Sequence, residues 1–141
     1  MTIPAEYSTA SAVFDRFLED ARDRAGLATR NQTYTMVQGV FQVFRARLEL
    51  EEAIRFAAVL PPLLRALFVA DWDLDAPKRD FSRREEMTGE IQALRRHHNF
   101  APETAIADVA GALRSHVDRQ ALDRVLAALP EDAARFWSLP A

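Results

Sequence analysis

The chain lacks several features that would identify a class of function. It contains no cysteine, which excludes a disulfide framework and any metal site built on thiolates. Its four glycines stand apart from one another, so the sequence holds no phosphate-binding glycine loop. Neither sign of charge dominates, because 18 Lys and Arg stand against 21 Asp and Glu. A net charge of −3 argues against nucleic acid as a partner.

A long hydrophobic run is also missing. The most apolar window, residues 53–70, is interrupted by Arg55, Arg65 and two adjacent prolines. A membrane-spanning helix needs about 20 apolar residues, so this window does not qualify. Residues 1–7 have neither the basic start nor the apolar stretch of a secretory signal. We therefore expect a cytoplasmic protein with no membrane partner.

What the sequence does contain is an apolar pattern with a helical period. Hydrophobic residues recur three or four positions apart through almost the whole chain. This spacing predicts an all-α fold, a compact bundle of about eight helices. A length of 141 residues fits one domain, for which about 150 residues are typical. We take residues 1–141 as that single domain.

Local signals place the helix ends in the first half of the chain. Ser8 or Thr9 is the predicted N-cap of the first helix, and Gly26 is its predicted left-handed end. Pro61 or Pro62 begins a short fourth helix that runs to about Ala70, because proline is tolerated only in the first turn.

Similar signals follow in the second half. Residues 82–85 have the form of a capping box, which predicts a helix with His97 and His98 in its last turn. Residues 105–117 form the next predicted helix. Asp118 is the predicted cap of the one after it, and Pro130 begins the last.

The order of these signals repeats with an offset of 69 residues, which indicates an internal repeat. Residues 35–61 align with residues 104–130 without a gap. The identical pairs include Thr35/Thr104, Val40/Val109, Arg45/Arg114, Arg55/Arg124, Ala58/Ala127, Leu60/Leu129 and Pro61/Pro130. We predict two similar four-helix units, at about 8–70 and 82–138, joined by a linker at 71–81.

The first repeat joint also carries a family resemblance. Residues 60–73 read Leu-Pro-Pro-Leu-Leu-Arg-Ala-Leu-Phe-Val-Ala-Asp-Trp-Asp. This segment resembles the signature of the bacterial family called domain of unknown function 2267. Residues 47–53 and the closing residues 129–137 are similar to that family as well. The resemblance covers nearly the whole chain and implies an all-helical, internally duplicated fold, but it implies no activity.

The sequence departs from the family pattern at three positions. Asp71 stands where the family usually has glycine, and Leu74 where proline is common. In the second unit Ala134 occupies the position at which the resemblance implies an arginine, and Arg135 follows one step later. If that arginine is functional, only Arg65 of the first unit carries the function here.

Arg65 and Trp72 are the candidate interaction or structural anchor. In the structural interpretation, Trp72 covers the core with its indole N–H paired, and Arg65 holds helix-end carbonyls or an acid such as Asp71 or Asp73. In the functional interpretation the two residues are exposed and bind a partner, because Trp and Arg are enriched at interface hot spots.

Two groups of residues suggest a metal site, but the sequence favours neither. Glu86, Glu90 and His97 share a helical face, with His98 and His116 as further candidates, but no Glu-x-x-His or His-x-x-x-His pair exists. Residues 71, 73 and 75 are aspartates, as at the start of a calcium loop. The required glycine and glutamate are replaced by Ala76 and Ser82, so a local turn is the better explanation. We expect no metal and no other cofactor.

Catalytic and nucleic-acid sites find little support either. Ser115 and His116 are adjacent on a helix and point apart, and no nucleophile elbow is present. A basic patch around residues 79–98 is interleaved with Glu85, Glu86 and Glu90, which cancel much of its field. The basic members of this patch are Arg79, Arg83, Arg84, Arg95, Arg96, His97 and His98.

These observations favour a non-catalytic protein-interaction module that binds an unknown protein, or itself, through a helical face. The alternative is a helical bundle that binds a small molecule or a lipid in a pocket between the two repeats. An enzyme is the third hypothesis, because no residues of the sequence assemble an acid, a base and a nucleophile. Partner, ligand and oligomeric state stay open at this stage.

Overall fold

In a computed structural model, which describes residues 2–140, the described chain folds into nine α-helices and one 3₁₀ turn, without a strand. The prediction of an all-α fold is therefore confirmed. The helices are α1 (Ala5–Ser8), α2 (Ala10–Ala25), α3 (Arg30–Arg45), α4 (Leu50–Ala57), α5 (Pro62–Val69), α6 (Arg84–Ala93), α7 (Ala105–His116), α8 (Arg119–Ala128) and α9 (Glu131–Phe136), with the 3₁₀ turn at Arg96–His98. None of the described helices is long and apolar enough to cross a membrane.

The helix ends mostly follow the local signals. Gly26 ends α2 with φ of 68°, and the amide of Leu27 donates to the carbonyl of Arg22 at 3.0 Å, as in a Schellman ending. Pro61 and Pro130 are the N-caps of α5 and α9. These three predicted ends are confirmed, because each rests on a backbone preference that needs no tertiary contact.

Two N-terminal caps behave differently from one another. The Asp118 carboxylate accepts from the amide of Ala121 at 3.1 Å, which confirms the predicted cap of α8. Thr9 is the N-cap of α2, but its hydroxyl forms no cap bond and donates instead to the carbonyl of Ala5. The short helix α1 places that carbonyl within reach, so the predicted side-chain cap is wrong although its position is right.

The helix α6 differs from its prediction at both ends. It begins at Arg84 with Arg83 as N-cap, so the predicted capping box at Ser82 does not form. It ends at Ala93, because the side-chain amide of Asn99 donates to the carbonyls of Ile91 and Leu94 at 2.7 and 2.6 Å. These bonds take the place of further helical ones. His97 and His98 therefore lie in the separate 3₁₀ turn and not in the last turn of α6.

The two halves of the chain pack across each other. The first long helix of the chain, α2, lies chiefly against α7, and α6 lies chiefly against α3. Gly39 allows α3 to approach α6 closely, because a Cβ at this position would lie only 3.0 Å from Cγ2 of Ile91. Both halves therefore contribute to one core.

Aromatic side chains fill the centre of that core. Phe44 lies 4.9 Å from Phe56 and 5.0 Å from Phe136, measured between ring centroids. Trp137 stacks on Phe56 at 5.5 Å with its ring nearly parallel, and only 1% of it is exposed. Rings from both halves meet here, so neither half has an independent centre.

A buried ion pair also crosses between the halves. Nη2 of Arg47 lies 2.5 Å from Oε2 of Glu90 on α6, and the Arg47 side chain is 1% exposed. Arg79 meets the same carboxylate at 2.9 Å. Because an isolated buried charge is costly, this carboxylate holds the corner between α3 and α4 against α6.

Candidate functional site

Arg65 lies on the inner side of α5, about one-third exposed. Its Nη2 donates to the carbonyl of Leu60 at 2.9 Å, and its Nε donates to the carbonyl of Ala57 at 3.3 Å. These carbonyls belong to the end of α4 and the turn after it, where the helix leaves acceptors unpaired. The carboxylate nearest to its guanidinium is that of Glu6, at 3.8 Å, rather than Asp71 or Asp73.

Replacement of Arg65 by alanine tests this capping role. We expect Arg65→Ala to lower the free energy of unfolding by about 1–2 kcal/mol, because two backbone carbonyls lose a charged donor. The measurement is urea denaturation followed by far-UV circular dichroism.

The matched control is Arg55→Ala. Arg55 is exposed on α4, and among the described residues it pairs only with Glu51 one turn away. Such a surface pair contributes little, so this variant is expected to unfold within about 0.5 kcal/mol of the parent protein. Equal stabilities of the two variants would show that the bonds from Arg65 to the helix-end carbonyls do not contribute to the stability of the fold.

Trp72 lies after α5, half-buried against the core. Its ring meets Phe68 edge to face at 6.4 Å, and the guanidinium of Arg45 lies 5.1 Å from the ring centroid. Trp72 and Arg65 line two different grooves, so the two candidate residues do not form one site. Arg65 thus contacts carbonyls at the end of a helix, and Trp72 is partly exposed.

Arg45 holds the segment that carries Trp72. It is 5% exposed, and its Nη1 donates to the carbonyls of Phe68 and Ala70, each at 2.8 Å. Its Nη2 donates to the carbonyl of Asp71 at 3.2 Å. Burial lowers the pKa of the Arg45 guanidinium, and the nearby charge of Asp71 opposes that shift.

In the sequence Arg45 stands out only as a repeated position, to which no role is assigned. The available signal was a charged residue directly after Phe44 on a helix with a broad apolar face. A charged group on such a face needs a polar partner, here the carbonyl oxygens at the end of α5.

A groove runs beside Trp72, and we call it the acid groove. Its lining includes Trp72, Leu50, Leu74, Asp71 and Asp73. Leu50 is 52% exposed and Leu74 is 68% exposed, so two large apolar side chains face solvent at one place. Its volume is about 320 Å³. Ile54, one turn after Leu50 on α4, is exposed as well and extends the apolar surface.

Asp71 and Asp73 line the acid groove together with two basic residues, Lys78 and Arg45, and the Arg45 guanidinium is buried against backbone carbonyls. Asp71, Asp73 and Asp75 form no ion pair with any described basic residue. Lys78, which also lines the groove, is paired with Glu49 at 3.3 Å. The rim therefore presents carboxylates around an apolar floor.

The positions considered for metal or nucleophilic chemistry have other partners. Within residues 2–140, no three His, Asp or Glu side chains are grouped so as to hold a metal ion. An Asp73 oxygen accepts from the amide of Asp75 at 3.0 Å, which is the local turn that the sequence predicts. Nε2 of His116 lies 3.0 Å from Oδ2 of Asp20, while Ser115 accepts from Arg24. Ser115 and His116 thus have separate partners on α2.

The basic patch separates into two parts. Arg83 pairs with Glu86 at 2.9 Å, Arg79 pairs with Glu90, and Arg84 donates to the carbonyl of Phe136 at 3.1 Å. Burial lowers the pKa of Arg84, and the charge of Glu85 opposes this shift. These three arginines are engaged within the protein, and residues 95–98 make up the other part.

Comparison with known proteins gives one result. A family model described as "Uncharacterized conserved protein (DUF2267)" matches residues 14–136, which confirms the family resemblance of residues 60–73. No match was found among the curated proteins. The family description names no activity, so any functional conclusion has to come from the geometry described above.

Proposed function

We propose that this chain, which belongs to the DUF2267 family, is a non-catalytic protein-interaction module that binds through the acid groove. The observation that carries the proposal is that the exposed side chains of Leu50 and Leu74 line the same groove as the partly exposed Trp72. Apolar side chains gathered around an aromatic residue are typical of interface centres.

The chemistry of the groove indicates the kind of partner. The carboxylates of Asp71 and Asp73 line the groove and that of Asp75 is exposed beside it, and none of the three forms an ion pair within residues 2–140. A partner that buries an apolar side chain and presents basic groups at its edge would match both features. The proposed partner is therefore a basic amphipathic segment of a protein.

A small-molecule or lipid pocket between the two repeats has less support. A groove beside Arg65 is lined by both predicted units but is open to solvent. The centre between the units is filled by the aromatic cluster, in which Phe44 of the first predicted unit contacts Phe136 and Trp137 of the second. A ligand placed there would have to displace closely packed rings.

The division into two repeated units stays part of the proposal, and equivalent contacts support it. Arg45 donates to the carbonyl of Phe68, and Arg114 donates to the carbonyl of Trp137 at 2.9 Å. Donors and acceptors are both related by the offset of 69 residues. The linker proposed at residues 71–81 contains no helix, and it forms much of the acid groove.

A synthetic peptide tests the proposed function. We expect a fluorescein-labelled amphipathic peptide of leucine and lysine to bind, with a rise in anisotropy. Leu50→Ser and Leu74→Ser should each weaken the affinity for the peptide about tenfold, because each removes an apolar side chain that the peptide would bury. Full burial of a leucine side chain contributes about 1.5–3 kcal/mol, and a tenfold change in affinity corresponds to about 1.4 kcal/mol.

The matched control is Leu63→Ser. Leu63 is 37% exposed on α5 and does not line the acid groove, so its replacement should leave the affinity unchanged. Tryptophan fluorescence provides a second measurement. The emission of Trp72 should shift to the blue when the peptide binds, while the emission of the fully buried Trp137 should stay constant. Binding that is equally weakened by all three leucine variants, with no change in Trp72 emission, would contradict the proposal.

A further inference from the structure

The second part of the basic patch is a turn that projects from the end of α6. We call residues 95–100 the basic turn; it contains Arg95, Arg96, His97 and His98 and ends at Phe100. Phe100 is 58% exposed, and neither arginine pairs with a described acidic residue. The basic turn therefore offers an apolar side chain with unpaired positive charge beside it.

The basic turn is held in a defined shape. The Asn99 side chain donates to the carbonyls of Ile91 and Leu94 and accepts from the amide of Ala101 at 2.9 Å. Arg95 adopts a left-handed backbone with φ of 51°, which is unfavourable for a long side chain. A preorganised turn loses little conformational entropy on binding.

The same unusual backbone occurs at the acid groove. Asp71, with φ of 55°, and Arg95 are the two described non-glycine residues that have positive φ. Such strain tends to be retained where a segment is used in function. It marks the acid groove and the basic turn, which carry opposite unpaired charge.

The two surfaces lie at opposite ends of α3. The basic turn adjoins Asn31 and Thr35 near the start of α3, and the acid groove adjoins Gln42 and Arg45 near its end. At 1.5 Å per residue these ends are roughly 20 Å apart. One molecule therefore cannot insert its own basic turn into its own acid groove, whereas a second molecule can.

We propose that a second copy of this chain occupies the acid groove, with Phe100 against Trp72, Leu50 and Leu74. Arg95 and Arg96 then face the carboxylates of Asp71, Asp73 and Asp75. The inference rests on the proposed function, since it names the partner of the acid groove. Because the two contacting surfaces differ, the assembly is head-to-tail, with a free acid groove at one end and a free basic turn at the other.

Sedimentation velocity tests this assembly. The average mass should rise above that of the monomer as protein concentration increases from roughly 10 µM to about 1 mM, the range expected for a small interface. Raising the ionic strength to about 1 M should reduce it, because the Debye length then falls to about 3 Å.

Two variants identify the surfaces. The groove variant carries Asp73→Asn and Leu74→Ser, and the turn variant carries Arg96→Gln and Phe100→Ser. All four positions are exposed, so both variants should fold like the parent, with unchanged far-UV circular dichroism. Each variant alone should stay monomeric. An equimolar mixture should form dimers and nothing larger, because the mixture contains one intact pair of surfaces.

The matched control carries Arg135→Gln and Leu139→Ser, a second exposed arginine with an exposed leucine. This control should assemble like the parent. Monomeric parent protein at all concentrations would overturn the inference, and peptide binding to the acid groove would then leave the proposed function standing. Assembly that the groove variant retains would overturn it too.

A nucleic-acid role of the basic turn is a further outcome of the test. If single-stranded oligothymidine binds the parent and not the turn variant, while no self-association is seen, the basic turn serves nucleic acid and the inference is wrong. If the parent assembles and the oligonucleotide does not compete with assembly, the inference is supported.

Discussion

Trp137→Ala is expected to lower the free energy of unfolding by about 3–5 kcal/mol, the range of large aromatic truncations in protein cores. Trp137 is 1% exposed and contacts Phe44, Phe56 and Phe136 with ring centroids 5.1–5.5 Å apart. Its loss leaves a cavity where both halves of the chain meet. Urea denaturation followed by circular dichroism measures the effect.

The matched variant is Trp137→Phe. The indole Nε1 of Trp137 is buried and has no hydrogen-bond partner within residues 2–140, and phenylalanine removes this donor. Phe68 occupies the position that corresponds to Trp137 at the offset of 69 residues. We therefore expect Trp137→Phe to cost less than about 1.5 kcal/mol. If Trp137→Phe lowers the free energy of unfolding as much as Trp137→Ala does, the size of the indole ring, rather than aromatic packing, decides stability at this position.

Arg45→Ala is expected to have the second largest effect, a loss of about 3–4 kcal/mol. Its side chain is buried and supplies donors to the carbonyls of Phe68, Ala70 and Asp71. Removing it leaves the buried carbonyl of Phe68 and the partly buried carbonyls of Ala70 and Asp71 without this donor, and an unpaired buried group costs about 1–3 kcal/mol. Because these bonds fix the segment that carries Trp72, the variant should also bind the Leu/Lys peptide more weakly.

Arg114→Ala is the control in the second half of the chain. Arg114 is 16% exposed at its side chain and donates to one carbonyl, that of Trp137, besides a contact with Asp123. We expect a cost of about 1–2 kcal/mol. A loss as large as that of Arg45→Ala would contradict the view that the number of carbonyl partners determines the difference.

The helices and several of their ends were predictable from the sequence. The apolar period of α3 and α7, Gly26 after α2, and the prolines before α5 and α9 act through local backbone preferences. Asp118 caps α8 for the same reason, since its carboxylate reaches an amide three residues away. The capping interpretation of Arg65 was also available, because the carbonyls that it contacts lie five and eight residues before it.

Other features depend on residues that are distant in sequence, and the tertiary structure alone decided them. Arg47 is buried because Glu90, 43 positions away, meets it, and Arg45 is buried because the end of α5 comes back against α3. The acid groove forms where residues 71–78 lie beside Leu50, and no local sequence pattern predicts it. Helical period and turn chemistry are set within a few residues, so the sequence determines them directly. Burial of a charge and the shape of a groove arise only when separate segments pack together, so they follow from the fold.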